Sequence, residues 1–175
     1  GEERRNGRWF EFQHLTYREL IAFTGFQYQS FRSFAVVRNP YQRFLSDYVW
    51  HAAPPRSRFD SIDDFVRRIP TSLSRDWDAL IREADQDLGN LLIHIRPQHH
   101  YVFDAEGRLL VDHVLHFERL AEDLAVVLEP FGLETTFVRP ARERAVSDHL
   151  GSGQIARINE IYALDFERFG YERID

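Results

Sequence analysis

Arg38 closes an unbroken apolar run, Phe34-Ala35-Val36-Val37, and Ser46 follows it at the eighth position. An arginine at a strand end and a hydroxyl on the next helix could together grip a phosphate. The guanidinium supplies charge and paired N–H donors, and the serine adds another donor. Asn39 and Pro40 read as the cap and first residue of that helix, because proline needs no amide partner there. Ser46 lies seven residues beyond Asn39, so at ~100° per residue it returns to nearly the same helix face. The spacing alone leaves a plainer reading open, in which Arg38 caps a carbonyl or pairs with a carboxylate and Ser46 takes no part. Arg43 either braces the helix, pairs with an acid or touches the ligand directly. The adjacent His99 and His100, with His94, invite a zinc reading. Neighbouring residues seldom ligate one metal together, however, and no carboxylate–histidine spacing supports it.

The elements that must carry these residues alternate between strand and helix. Four apolar residues in a row form the pattern of a strand covered on both faces of a parallel sheet. The carboxyl ends of such strands are where open α/β sheets bind ligands. The helix from Pro40 has an apolar stripe of Phe44, Leu45, Tyr48 and Val49. Upstream, residues 1–13 read as an irregular lead-in, and Thr16 with Glu19 forms a capping box for a helix to Phe23. Downstream, Ser61 caps a helix to about Arg68, Asp76 to His94 reads as one helix, and Val102 to Val111 reads as a short hairpin. Val114, Leu115 and Phe117 suggest a second buried strand, leading into a helix from Arg119 to about Phe131. A third strand is expected at Thr136 to Val138, a polar loop at 139–153, and a closing helix from Gln154 to Phe169. Strands and helices in alternation predict a single layered α/β domain over residues 1–175.

Composition narrows the classes. A net charge of −6 argues against a broad nucleic-acid-binding surface. The absence of cysteine excludes disulfides and thiolate chemistry and fits a reducing, cytoplasmic location better than the Golgi lumen. No stretch approaches the ~18 apolar residues of a membrane span. All 22 Lys and Arg residues are arginines, and there is no methionine either, so the sequence is expected to be a fragment, a processed form or incomplete.

The run from Phe34 to Trp50 closely resembles the 3'-phosphate-binding segment of sulfotransferases that use 3'-phosphoadenosine 5'-phosphosulfate (PAPS). Ile95 to Phe103 (IRPQHHYVF), Asp112 to Leu124 (DHVLHFERLAEDL) and Ile158 to Tyr171 (INEIYALDFERFGY) resemble further segments of the same family, in the same order. The branch is the one that includes many carbohydrate sulfotransferases and bacterial relatives, and the resemblance spans residues 14 to 171. It implies a three-layer fold related to P-loop kinases, with a central, mainly parallel sheet here lacking its first strand. It implies that Arg38 and Ser46 bind the 3'-phosphate and that His14 is the general base, a role suited to a side chain that titrates near neutrality. Arg144 and Ser147 match the segment that closes over the nucleotide. Gln98, His99 and His100 would line the acceptor side, or the two histidines would bind the donor.

Family members begin with a strand and a lysine-bearing, Gly- and Ser/Thr-rich turn around the 5'-phosphosulfate. Nothing here matches that turn, and with no lysine in the chain the expectation is that it lies upstream of Gly1. The implied reaction moves the sulfuryl group from PAPS to a hydroxyl of a carbohydrate or glycoconjugate, with no metal required. The oligomeric state is left open. Two other readings stay in view: a nucleotide or small-molecule kinase of similar fold, and a nucleotide-binding remnant that no longer turns over. Paired-carboxylate hydrolysis, Ser-His-Asp catalysis and nicotinamide binding have no supporting motif.

Overall fold

In the computed structural model, residues 2–5, 8–11, 14–25, 31–54, 58–69, 76–135 and 145–175 are described, with side chains from His14 onward except that of Ser147. At the N-terminus β1 (Glu2–Arg5) and β2 (Arg8–Glu11) form an antiparallel hairpin where an irregular lead-in was expected. Then α1 (Tyr17–Thr24) starts on the predicted capping box: Thr16 Oγ1 accepts the Glu19 N–H at 3.2 Å, and Glu19 returns to the Thr16 N–H at 2.7 Å.

The chemistry-bearing stretch forms β3 (Phe34–Val37) followed at once by α2 (Pro40–Ala52), as its apolar run and cap predict. Past α3 (Ile62–Arg67), the single helix expected over 76–94 is two, α4 (Trp77–Glu83) and α5 (Gln86–Ile95). The break has a local cause. Ala84 is extended, and the Asp85 carboxylate caps a new helix by accepting the Leu88 N–H at 2.9 Å, a competition that Asp wins at helix starts. A short helix, α6 (His99–Val102), takes the first residue of the expected hairpin. The hairpin itself reduces to one antiparallel bridge, Phe103 to Leu109, around Gly107 at φ 79°.

β4 (His113–His116) pairs in parallel with β3, from Phe34 opposite His113 to Val37 opposite His116. The start of the pair is locked by Asp112, whose Oδ2 accepts from the Ser33 N–H and hydroxyl at 2.7 and 2.9 Å. A 3-10 turn at Phe117–Arg119 leads into α7 (Leu120–Leu128). The expected closing helix is divided at Tyr162 into α8 (Ser152–Ile161) and α9 (Ala163–Phe169). The third expected strand, Thr136 to Val138, lies outside the described residues.

The main core gathers Phe44, Phe65, Leu92, Ile95, Ile158 and Phe166 from α2, α3, α5, α8 and α9. Each such side chain contributes about 1.5–3 kcal/mol of burial. This core fixes α2 against the closing helices, so the residues after β3 stand on a rigid base. The sheet differs from expectation on one face. Val37 is buried, but Phe34 and Val36 are 48% and 43% exposed, although Leu115, opposite Val36 on β4, is buried.

Candidate active site at the end of β3

Arg38 leaves β3 with its backbone held from both sides by one side chain. Gln98 Oε1 accepts the Arg38 N–H, and Gln98 Nε2 donates to the Arg38 carbonyl, both at 2.8 Å. A primary amide carries the same donor and acceptor as a peptide unit, so Gln98 acts as a neighbouring strand one residue long. The Arg38 guanidinium lies 4.9 Å from the centre of the Phe117 ring, over its face, in the range of a cation–π contact. The charge of Arg38 is thus aimed by a strand end, an amide clamp and an aromatic platform.

The start of α2 is less available than a helix N-terminus usually is. Asn39 Oδ1 accepts the Tyr41 N–H at 3.0 Å and the Gln42 N–H at 3.4 Å. Pro40 has no N–H. The Asn39 N–H goes to Glu118 Oε1 at 2.7 Å, and Glu118 Oε2 accepts the Tyr171 hydroxyl at 2.9 Å. These orphan donors are therefore satisfied inside the protein, and a carboxylate already offsets the helix dipole. An anion here must be held by side chains. Ser46 stands two turns further along α2, half-buried.

Behind the strand end lies a cavity of about 270 Å³, walled by β3 from Ala35 to Val37 and by His14, Arg43, Asp47, His94, Gln98 and Tyr101. Arg43 is a brace: its NH1 and NH2 donate to the carbonyls of Arg96 at 2.8 Å and His94 at 2.6 Å, tying α2 to the end of α5. The His14 and His94 rings meet edge to face at 4.4 Å, and His94 meets His51 in the same way at 5.0 Å. Tyr101 donates to the Ile93 carbonyl at 3.0 Å. Arg96, 3% exposed, pairs with Glu19 at 3.4 Å, which fastens α1, and with it the segment carrying His14, to this corner.

Asp47 is poorly served by the fold. Its Oδ2 is sealed from solvent without a hydrogen-bond partner. Burial pushes the carboxyl up to about 6 from an ordinary 3.8, against the opposing pull of Arg43 and Arg38. A raised carboxyl pKa means the folded state takes up its proton first as pH falls. Asp47 therefore costs stability above pH 6, and that cost disappears as pH drops from about 6 to 4. We expect Asp47→Asn to be more stable than the wild type by about 1–3 kcal/mol at pH 8 and equal to it near pH 4. Urea midpoints at the two pH values test this, and a constant difference between the two proteins would refute it.

The remaining candidates lie elsewhere. His99 turns inward: its Nδ1 sits 2.6 Å from Asp165 Oδ1, and Asp165 also accepts the N–H groups of Gln98 at 2.7 Å and His99 at 2.9 Å. The His100 ring packs on His99 at 4.3 Å, and burial, then His99 and Arg96, depress its pKa to about 4. Neither ring is among the cavity walls. Ser147 belongs to a 3-10 turn, Val146–Asp148, with its side chain outside the described residues, and Arg144 lies outside them altogether. Among the described residues no three His, Asp or Glu side chains converge on a metal site.

A wider depression of about 720 Å³ opens between the starts of α3 and α8. Gln154 is committed there to Asp63 at 2.5 Å and to the Gly151 N–H at 2.6 Å, and none of the candidate site residues read from the sequence lines it. Asp165 was detectable in the sequence as an acid on the apolar stripe of Ile158, Ile161, Tyr162, Phe166 and Phe169. Glu118 stood in the Phe117-Glu118-Arg119-Leu120 junction of a segment that resembles the family, without a role assigned to it, and Asp47 carried no comparable signal.

A parallel strand ending in a clamped arginine, with a capped helix and a polar cavity behind it, is the ligand geometry of an α/β protein. The model of the Sulfotransferase family matches residues 8–172, almost the whole chain. The protein belongs to the sulfotransferase family. Comparison with curated proteins and with solved structures gave no match. Among the described residues no helix is long and apolar enough to cross a membrane.

Proposed function

We propose that this chain binds PAPS and transfers its sulfuryl group to a hydroxyl of a carbohydrate or glycoconjugate, on a P-loop-kinase-like three-layer fold. The observation that carries the reading is Arg38, held at the strand end by the Gln98 amide with its charge over Phe117. Arg38 and Ser46 take the 3'-phosphate through side chains, which the occupied N–H groups of α2 require. Gln98 supports this grip from behind. Arg144 and Ser147 close over the nucleotide, and His99 and His100 belong to the corner next to the acceptor. His14, in the cavity wall, accepts the acceptor's hydroxyl proton. The acceptor oxygen then bonds to sulfur, the bond from sulfur to the 5'-phosphate oxygen breaks, and adenosine 3',5'-bisphosphate leaves with the electron pair.

Isothermal titration with adenosine 3',5'-bisphosphate, AMP and ADP tests the reading. Tighter binding of the bisphosphate is expected, and equal affinity for all three would overturn it in favour of a kinase-like site. Arg38→Ala should weaken the bisphosphate by about 1.5–3 kcal/mol, the scale of hydrogen bonds to a charged group. An unchanged affinity would remove Arg38 from the grip. Bisphosphate binding without any transfer would instead identify a non-catalytic relative.

A further inference from the structure

Most polar groups around the cavity at the end of β3 are already committed. Arg43 serves two carbonyls, Tyr101 donates to Ile93, and both ends of the Gln98 amide hold Arg38. Asp47 differs. It stands one turn beyond Arg43 on α2, contributes to the same wall, and keeps a carboxylate oxygen that nothing in the fold satisfies. We propose that Asp47 selects the acceptor: its carboxylate receives a hydrogen bond from a hydroxyl or ammonium group of the molecule in the cavity, so neutral or cationic acceptors bind in preference to anionic ones. This rests on the sulfotransferase reading, with His14 on the acceptor side.

Three physical points carry it. An ionised carboxylate only accepts hydrogen bonds, so its partner must be a donor. A carboxylate or sulfate on the incoming molecule offers no donor and is repelled by like charge across a poorly screened gap. Packing alone gives no reason for the charge, since burial disfavours it and an asparagine fills the same volume; a group kept against stability is a mark of a functional position. Rotation about the terminal torsion of Asp is soft and nearly two-fold, so the unsatisfied oxygen can be turned toward an occupant. The cavity, at about 270 Å³, is near the lower limit of roughly 300 Å³ for small-molecule sites, which suits a single sugar ring.

The test uses the full chain saturated with adenosine 3',5'-bisphosphate and three probes: methyl glucoside, methyl glucosaminide and methyl glucosiduronate. Binding is followed by saturation-transfer NMR with competition. The glucoside and the glucosaminide should each bind about tenfold tighter than the uronide, and Asp47→Asn should bring the two ratios within about threefold by improving the uronide. A larger loss for the glucosaminide than for the glucoside in the variant would identify the ammonium as the preferred donor. Bisphosphate affinity should not fall. The proposal is overturned if the uronide binds as well as the others to the wild type, if no probe binds, or if Asp47→Asn leaves the ratios intact. It is equally overturned if the variant weakens bisphosphate and sugars together, which would make Asp47 a support of α2. Failure of the wild type to prefer bisphosphate over AMP would instead sink the underlying reading, and that titration is read independently of the sugars.

Discussion

Asp165→Ala should destabilise the protein by about 3–5 kcal/mol, the range for removing one partner of a buried charged network. Asp165 is completely buried and accepts two backbone N–H groups and the His99 ring nitrogen. Alanine strands all three donors in an interior where each loses its partner without regaining water. The consequence reaches the site. The Gln98 N–H is one of the three donors, and the Gln98 side chain holds the Arg38 backbone, so loosening the corner loosens the arginine. Urea denaturation should show the lost stability, and titration of the folded fraction should show weakened adenosine 3',5'-bisphosphate binding. Asp165→Asn, which keeps an acceptor oxygen, should lose less. A stability change under ~1 kcal/mol for the alanine variant would mean that the network is not what holds this corner.

His14→Ala should lower sulfuryl transfer by about 10²–10⁴-fold, the usual contribution of a positioned general base, and leave bisphosphate affinity unchanged. The split follows from placement. His14 belongs to the cavity wall against His94, whereas the proposed phosphate grip belongs to Arg38, just past β3, and Ser46 on α2. Initial rates with labelled PAPS and a saturating acceptor give the first quantity, and calorimetry gives the second. Full activity in the variant would take His14 out of the mechanism. A parallel loss of bisphosphate binding would make it a support of the fold rather than the base.

How far the chain can be read without its fold depends on the range of the interaction concerned. The caps at Thr16, Asn39 and Ser61 act within three residues, and each starts a helix as its spacing predicts. The apolar run Phe34–Val37 was legible as a strand, but the ladder that completes it runs to His113–His116, 79 residues further on. Periodicity misled where a local competitor was overlooked. Asp85 caps a second helix inside a continuous apolar pattern, and Tyr162 at φ −105°, ψ 24° divides another. The His99-His100 pair looked like a unit by adjacency, yet one ring is bound to a buried carboxylate and the other packs on its outer side.

The order of residues along the chain is enough to end a strand at Arg38 and to start a capped helix with Ser46 on its face, and the succession of segments matches a sulfotransferase. The strand end and the capped helix rest on neighbours within a few residues, and local sterics and hydrogen bonding decide them. Which polar groups are already committed is set by contacts between distant segments. Gln98 meets Arg38 across 60 residues, Asp165 meets Gln98 across 67, and Glu118 takes the Asn39 N–H across 79. Burial, which no spacing reveals, left Asp47 with an unsatisfied oxygen and a raised pKa. The free energy of a polar group depends on the partners and solvent that folding brings to it or removes, and for this site those partners come from distant parts of the chain.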